Sequence, residues 1–294
     1  MTNTPFGDRL SAAIERCGNN LCVGLDPHLS LLPAELEAQA DDPQSDRTAA
    51  AVWDFLSFAV EECAGRVPVV KPQAAFFEEL GWRGIRVMER LVALASSRGL
   101  LVVLDAKRGD IGSTAAAYAR AYLAPSSPCK ADAITLNPYL GLDSLEPFVD
   151  AAREVGAGVF VLAKTSNSGS GLFQDRISDG KPLFLHVAES LRRYADELTG
   201  TSGWSSVGVV AGATYPEQAL AIRHALPSSF LLLPGIGSQG ASSAELRARA
   251  LDRGVLLSSS RAVLFGDGQT RGNWRAALRG RIESAVAQAQ QARS

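Results

Sequence analysis

Apolar residues in this chain gather in eight short runs separated by longer stretches of mixed polarity: Leu21–Leu25, Val67–Val70, Leu100–Leu104, Ala131–Leu136, Gly158–Ala163, Val207–Ala211, Phe230–Leu233 and Val255–Leu257. The runs are rich in Val, Leu and Ile and lack clean alternation with polar residues, the pattern of parallel strands buried on both faces. Between them, as in Ala50–Glu62 and Ile85–Ala95, apolar positions recur at helical spacing. Successive runs lie about 34 residues apart, enough for a strand-helix-strand unit of roughly 30 residues. Eight strands alternating with helices predict an α/β fold, a single (β/α)8 TIM barrel. A doubly wound open sheet is the alternative, disfavoured because no GxGxxG opens a helix after the first run.

A chain of 294 residues fits one barrel domain over residues 1–294, with an N-terminal helix and a closing amphipathic helix from Asn273 onward. Two stretches read as additions. Asp41–Asp46 is a polar linker that starts a helix. Thr165–Pro182, rich in Gly, Ser and charge, is long for a strand-to-helix connection and has the character of a lid.

Composition narrows the functional classes. With 46% hydrophobic and 20% charged residues the chain can bury a sizeable core, and 29 Lys and Arg against 31 Asp and Glu leave a net charge of −2. That balance removes the electrostatic drive for non-specific binding to nucleic acid or to a membrane. No stretch approaches 18 uninterrupted apolar residues, and Met1–Ala12 lacks the apolar segment of a secretory signal, so a cytoplasmic location is expected. Cys17, Cys22, Cys63 and Cys129 form no CxxC pair and no zinc spacing, and read as reduced thiols.

Catalytic groups of such barrels sit at the carboxyl ends of the strands, and here those ends are charged. The first run ends in Asp26, the second in Lys71, the third in Asp105 and Lys107 with Asp110 beyond, and the eighth leads to Arg261. Asp105 and Lys107, two apart on an extended strand, are expected to share a face. A structural ion-pair network is the competing reading, since such networks also perturb ionisation. Position at the barrel mouth favours chemistry. Of the histidines, His186 and His224 read as helix residues without chemistry, while His28 lies near Asp26. Lys164 ends the fifth run and could form a Schiff base in an aldolase-like barrel, although orientation of the following loop suits it better. Asn137, ending the fourth run, has no assigned role.

Asp105-Ala-Lys107-Arg-Gly-Asp110-Ile111 with Thr114 resembles the D-x-K-x-x-D-I-x-x-T signature of the orotidine 5′-phosphate decarboxylase family. The resemblance spans about residues 21 to 265. It takes in Gly24-Leu25-Asp26, Val69-Val70-Lys71-Pro72, Thr165-Ser166-Asn167, Pro234-Gly235-Ile236-Gly237 with Gln239, and Ser260-Arg261. DxKxxD alone is shared by a suprafamily of phosphosugar enzymes, some of which hold Mg²⁺ with acidic groups. A lysine on the second strand instead sets a fixed cation among the carboxylates, so no metal is expected. Two departures are visible. Ser260-Arg261 stands for the family's Gly-Arg, and the segment after the seventh run is shorter than many phosphate lids. Both, with the chain length, resemble the longer second subgroup found in actinobacteria among others.

The resemblance implies conversion of orotidine 5′-monophosphate to uridine 5′-monophosphate and CO₂, in de novo pyrimidine biosynthesis, without a cofactor. It assigns Lys107 as proton donor to C6, with Asp105 and Asp110 favouring its charged form. Lys71 would bridge Asp105 and a ribose hydroxyl, and Asp26 would accept from another. Ser166 would reach the pyrimidine amide, while Gln239, the Gly235 and Gly237 backbone and Arg261 would hold the phosphate. Asp110 and Thr114 would enter the neighbouring subunit's site, implying a homodimer with shared active sites. Two other classes compete: a metal-dependent phosphosugar lyase or aldolase on the same barrel, and a nucleotide-binding protein without activity.

Overall fold

In the computed structural model, which describes residues 4–234, 253–268 and 270–291, the eight runs become eight parallel strands. They are β1 (Leu21–Leu25), β2 (Val69–Pro72), β3 (Leu101–Arg108), β4 (Ala133–Leu136), β5 (Gly158–Lys164), β6 (Val207–Ala211), β7 (Leu231–Pro234) and β8 (Val255–Ser259). Each pairs with the next, and β8 pairs with β1 in the register Leu21 to Leu257, closing the barrel. The predicted (β/α)8 barrel is therefore observed. Strands β2, β3 and β8 run past the apolar residues that announced them, because pairing continues at Lys71, Arg108 and Ser259 after side-chain polarity has changed.

Helices α1 (Phe6–Cys17), α2 (Asp46–Cys63), α3 (Gly81–Ser97), α4 (Gly112–Leu123), α5 (Glu146–Val155), α6 (Leu183–Ser190), α7 (Pro216–Ala225), α8 (Arg261–Leu264) and α9 (Trp274–Gln291) complete the frame, with further short helical segments between, such as Ala74–Glu78 and Arg192–Glu197. Side chains alternate across the strands. Outward-facing Val23, Val70 and Leu104 pack with α2 and α3, whereas Ile134, Val161 and Val209 pack with α4, α5 and α6. Inward-facing Cys22, Val69, Val103, Phe160, Leu232 and Leu256 form a separate cluster with Phe6, Leu10, Ala13 and Ile14 of α1. Helix α1 thus plugs the amino-terminal mouth of the barrel. The fit depends on Gly158, where a Cβ would stand 2.3 Å from the Phe6 ring.

On the outside of the barrel, α9 buries Trp274, Leu278 and Ile282 against α2, whose start is capped by Ser45 accepting the Thr48 N–H at 3.1 Å. The linker Asp41–Asp46 ends in that cap. Residues Thr165–Pro182 contain more structure than a loop: turns of helix at Ser168–Ser170 and Gly171–Gln174, then a two-stranded hairpin. Apolar side chains fill the lower barrel, and the buried charged pair Lys71 and Asp105 lies toward the carboxyl mouth.

Candidate active site

Three charged side chains alternate in sign across β2 and β3. Lys71 Nζ donates to Asp105 Oδ2 at 2.7 Å, and Lys107 Nζ donates to Asp105 Oδ1 at 2.6 Å. Lys71 and Asp105 are buried, but the Lys107 side chain is 43% exposed and reaches the open mouth. Burial pushes the Asp105 carboxyl upward. The Lys71 and Lys107 ammonium groups and their hydrogen bonds outweigh it and hold the group well below the usual carboxylate range. For Lys71, burial works against the charge, and the carboxylates of Asp105 and Asp26 more than reverse it, so it ends above the ordinary lysine value. Cys22 lies deeper in the barrel, where burial pushes its thiol up to about 12, which leaves it protonated and unreactive at neutral pH.

Asp105 and Lys107 converge as expected, although not by simple alternation. Lys107 has φ +46°, in the left-handed region, and the β3–β4 register shifts between Leu104 and Arg108. Thr135 of β4 bridges this irregular segment. Its Oγ1 accepts the Lys107 N–H at 2.9 Å and donates to Asp105 Oδ1 at 3.0 Å.

Above these groups opens a cavity of about 610 Å³. Asp26, Lys71, Asp105 and Lys107 line one side, Thr165, Ser166 and Asn167 another, and Ser260 and Arg261 a third, over a floor of Leu162, Val210 and Leu232. Ser166 comes close because Gly212, at the end of β6, has no side chain: a Cβ there would lie 3.0 Å from the Ser166 Cα. Asp26 Oδ1 and Ser260 Oγ are buried at this cavity and have no hydrogen-bond partner among the described residues. His28 also lines it, with its ring 4.4 Å from that of Phe76; burial and Arg261 lower its ionisation against the pull of Asp26.

Asp110 and Thr114 do not line this cavity. Asp110 Oδ1 accepts the N–H of Ile111 at 2.8 Å, and Thr114 is exposed. Gly235, Gly237 and Gln239 lie outside the described residues. Lys164 does not line the cavity; fully buried, it donates to Asp175 Oδ1 at 2.7 Å and sits 4.5 Å from the Tyr215 ring centre. Asn137 accepts the Tyr139 N–H, and His186 meets the Ser178 carbonyl. Gln73, Phe76, Thr135 and Ser258 had no part in the sequence reading of the site. Thr135 was within reach of it, being the second inward position of β4 counted from Ala133. Among the described residues no three His, Cys, Asp or Glu side chains gather as a set of metal ligands.

Barrel and mouth together define a (β/α)8 enzyme of the Asp-x-Lys-x-x-Asp type. The model of the orotidine 5′-phosphate decarboxylase / HUMPS family matches residues 19–266. Orotidine 5′-phosphate decarboxylases of Rhodopirellula baltica and Streptomyces coelicolor are each 46% identical to this chain, over alignments covering 88% of it and 88% and 90% of their own lengths. A crystal structure from Streptomyces avermitilis superposes with a TM-score of 0.82 at 41% identity, covering 100% of this chain and 97% of the other. The OMP decarboxylase of Leishmania donovani gives 0.76 at 31%, covering 99% of both. The chain belongs to the orotidine 5′-phosphate decarboxylase family, and with it to the decarboxylases (carboxy-lyases) of pyrimidine biosynthesis.

Proposed function

We propose that the chain converts orotidine 5′-monophosphate to uridine 5′-monophosphate and CO₂ with side chains alone, Lys107 being the proton donor. The observation that carries this is the Lys71–Asp105–Lys107 chain, which ends in an ammonium facing the cavity. The bond from C6 to the carboxylate breaks, its electron pair stays on C6, and a proton from Lys107 Nζ takes the vacated position. The amine left behind is reprotonated from water. A fixed ammonium beside C6 stabilises the growing negative charge without reorganising, the type of contribution worth about 3–4 kcal/mol per donor elsewhere. Asp105 orients that ammonium. Its own negative charge, buried and held by two lysines, faces the region of the departing carboxylate.

Asp26 Oδ1, buried and without a donor among the described residues, suits a ribose hydroxyl, and Lys71 bridges Asp105 to a second one. Ser166 faces the pyrimidine amide. Arg261 holds the phosphate at the rim, with Gly235, Gly237 and Gln239 assigned to the same task from the sequence motif. No metal is required, because the Lys71 ammonium, paired with Asp105 and within the field of Asp26, supplies the positive charge with which a divalent ion would balance them.

The active unit is a homodimer with shared sites. Asp110 and Thr114 stand off the cavity of their own chain, and exposed Ile111, Tyr139 and Leu140 flank them on the loops after β3 and β4. Free thiols at all four cysteines suit the reducing cytoplasm. The direct test follows the absorbance of orotidine 5′-monophosphate with purified protein and EDTA. Turnover is expected to persist under chelation. Loss of turnover that Mg²⁺ restores would identify a metal-dependent phosphosugar lyase instead, and nucleotide binding without any turnover would identify a binding protein.

A further inference from the structure

We propose that Thr135 is a positioning residue for the decarboxylation: its hydroxyl clasps the irregular end of β3 so that Asp105 and Lys107 meet at the cavity. The inference rests on the reading that these two groups carry the chemistry. Thr135 is fully buried on β4 and does not line the cavity, so its action passes through its two partners.

The direction of both hydrogen bonds is fixed by the groups involved. A backbone N–H can only donate and an ionised carboxylate can only accept, so Thr135 Oγ1 must accept from Lys107 and give its single proton to Asp105. Asp105 then receives three donors, Thr135 and Lys107 on Oδ1 and Lys71 on Oδ2, which leaves its plane no freedom to turn. The backbone bond acts on the other partner. Between Leu104 and Arg108 the regular ladder with β4 is broken, and it resumes where Asn137 N–H meets the Arg108 carbonyl at 2.8 Å. Inside that gap the Thr135 hydroxyl supplies the acceptor that a neighbouring strand carbonyl would otherwise provide. It thereby holds Lys107 at φ +46°, a conformation that a lysine does not keep unless its surroundings impose it. With φ in the extended range, the same side chain would leave the strand along a different line from the one that joins Asp105 Oδ1.

The discriminating variant is Thr135→Val, which keeps the shape of the side chain and removes both hydrogen bonds. Steady-state kinetics should show kcat reduced about ten- to hundredfold, the size of effect that a small misplacement of reacting groups produces. KM and the Kd for uridine 5′-monophosphate should stay within about threefold, because ligand contacts remain. Thr135→Ser, which restores the hydroxyl, should return kcat to within about threefold of the parent. Should Thr135→Val not accumulate as folded protein, Thr135→Ala is read in the same way. A kcat unchanged in Thr135→Val, equal impairment of the Ser and Val variants, or a KM that rises in step with the fall in kcat would each overturn the clasp. Lys107→Ala, run in parallel, separates the two ideas. If it is inactive while Thr135→Val is fully active, the clasp alone fails; if it turns over normally, the site reading fails and takes the clasp with it.

Discussion

Lys107 and Arg261 line different parts of one cavity, and their replacement should separate chemistry from binding. Lys107→Ala is expected to remove nearly all turnover while uridine 5′-monophosphate affinity stays within about tenfold, since the ammonium acts mainly on charge that develops in the transition state. Arg261→Ala should weaken nucleotide binding and kcat/KM by about 1.5–3 kcal/mol through loss of a charge-assisted hydrogen bond to phosphate. Indistinguishable profiles for the two variants would refute the division. The carboxylate between the lysines allows a check by pH. Its folded-state ionisation lies well below the unfolded value of about 3.9, so the stability it contributes is complete above that value and is lost as pH falls through the lower folded one. Lys71, raised above about 10.4, contributes stability that is lost only as pH rises through its higher folded value. On the acid side, the Tm difference between the parent and Asp105→Asn should therefore be retained down to about pH 5 and shrink only below about pH 4. A difference that already shrinks near pH 6 would show that the lysines do not hold Asp105 as described.

At the scale of an element, the segment after β5 is tied down by a pair of unequal partners. Lys164 is fully buried, whereas Asp175 keeps 44% of its side chain exposed. Removing the acid strands a buried ammonium against the Tyr215 ring; replacing the lysine by an apolar chain of similar length leaves an acid that water can solvate. Asp175→Ala should therefore lower stability by about 1–3 kcal/mol and speed proteolytic cleavage within Thr165–Pro182. Lys164→Met should be close to neutral, and Lys164→Met with Asp175→Ala more stable than Asp175→Ala alone. The reverse order in thermal melts would contradict this account. The same segment marks where the amino-acid pattern stops being informative. Strand positions were legible because burial on both faces leaves continuous apolar runs, and the residues at the mouth were legible because charge at the end of such a run has few structural uses. Lys107's left-handed backbone was not, since nothing in Asp-Ala-Lys-Arg departs from an extended pattern. Nor was Asp175 as the partner of Lys164, because turns of helix and a hairpin inside a Gly- and Ser-rich stretch arise from contacts across the fold. Thr135 has only its inward parity to mark it, and that parity acquires meaning once the shifted register with β3 is known.

For the whole molecule, the decisive issue is whether a single barrel contains a complete site. Asp110 lies in the turn Arg108-Gly109-Asp110 just past the strand that carries Asp105 and Lys107, yet its side chain turns to its own neighbour's backbone and not into the cavity. Large apolar side chains stand exposed on the adjoining rim, Ile111 at 58%, Tyr139 at 85% and Leu140 at 49%. Exposed aliphatic and aromatic groups clustered beside a displaced acid are what a twofold partner would cover while receiving that acid. Mixing two inactive variants tests this. In a heterodimer of Lys107→Ala and Asp110→Ala chains, shared sites place both lesions in one cavity and leave the other with an intact Lys107 from one chain and an intact Asp110 from its partner. Under conditions that exchange subunits, activity should return to about half that of a parental dimer for each heterodimer formed, by the isologous symmetry of a twofold assembly. With both residues serving their own chain, every cavity would keep one lesion. Heterodimers demonstrated by native mass spectrometry that remain inactive would then place Asp110 in its own subunit's site and remove the argument for a shared one.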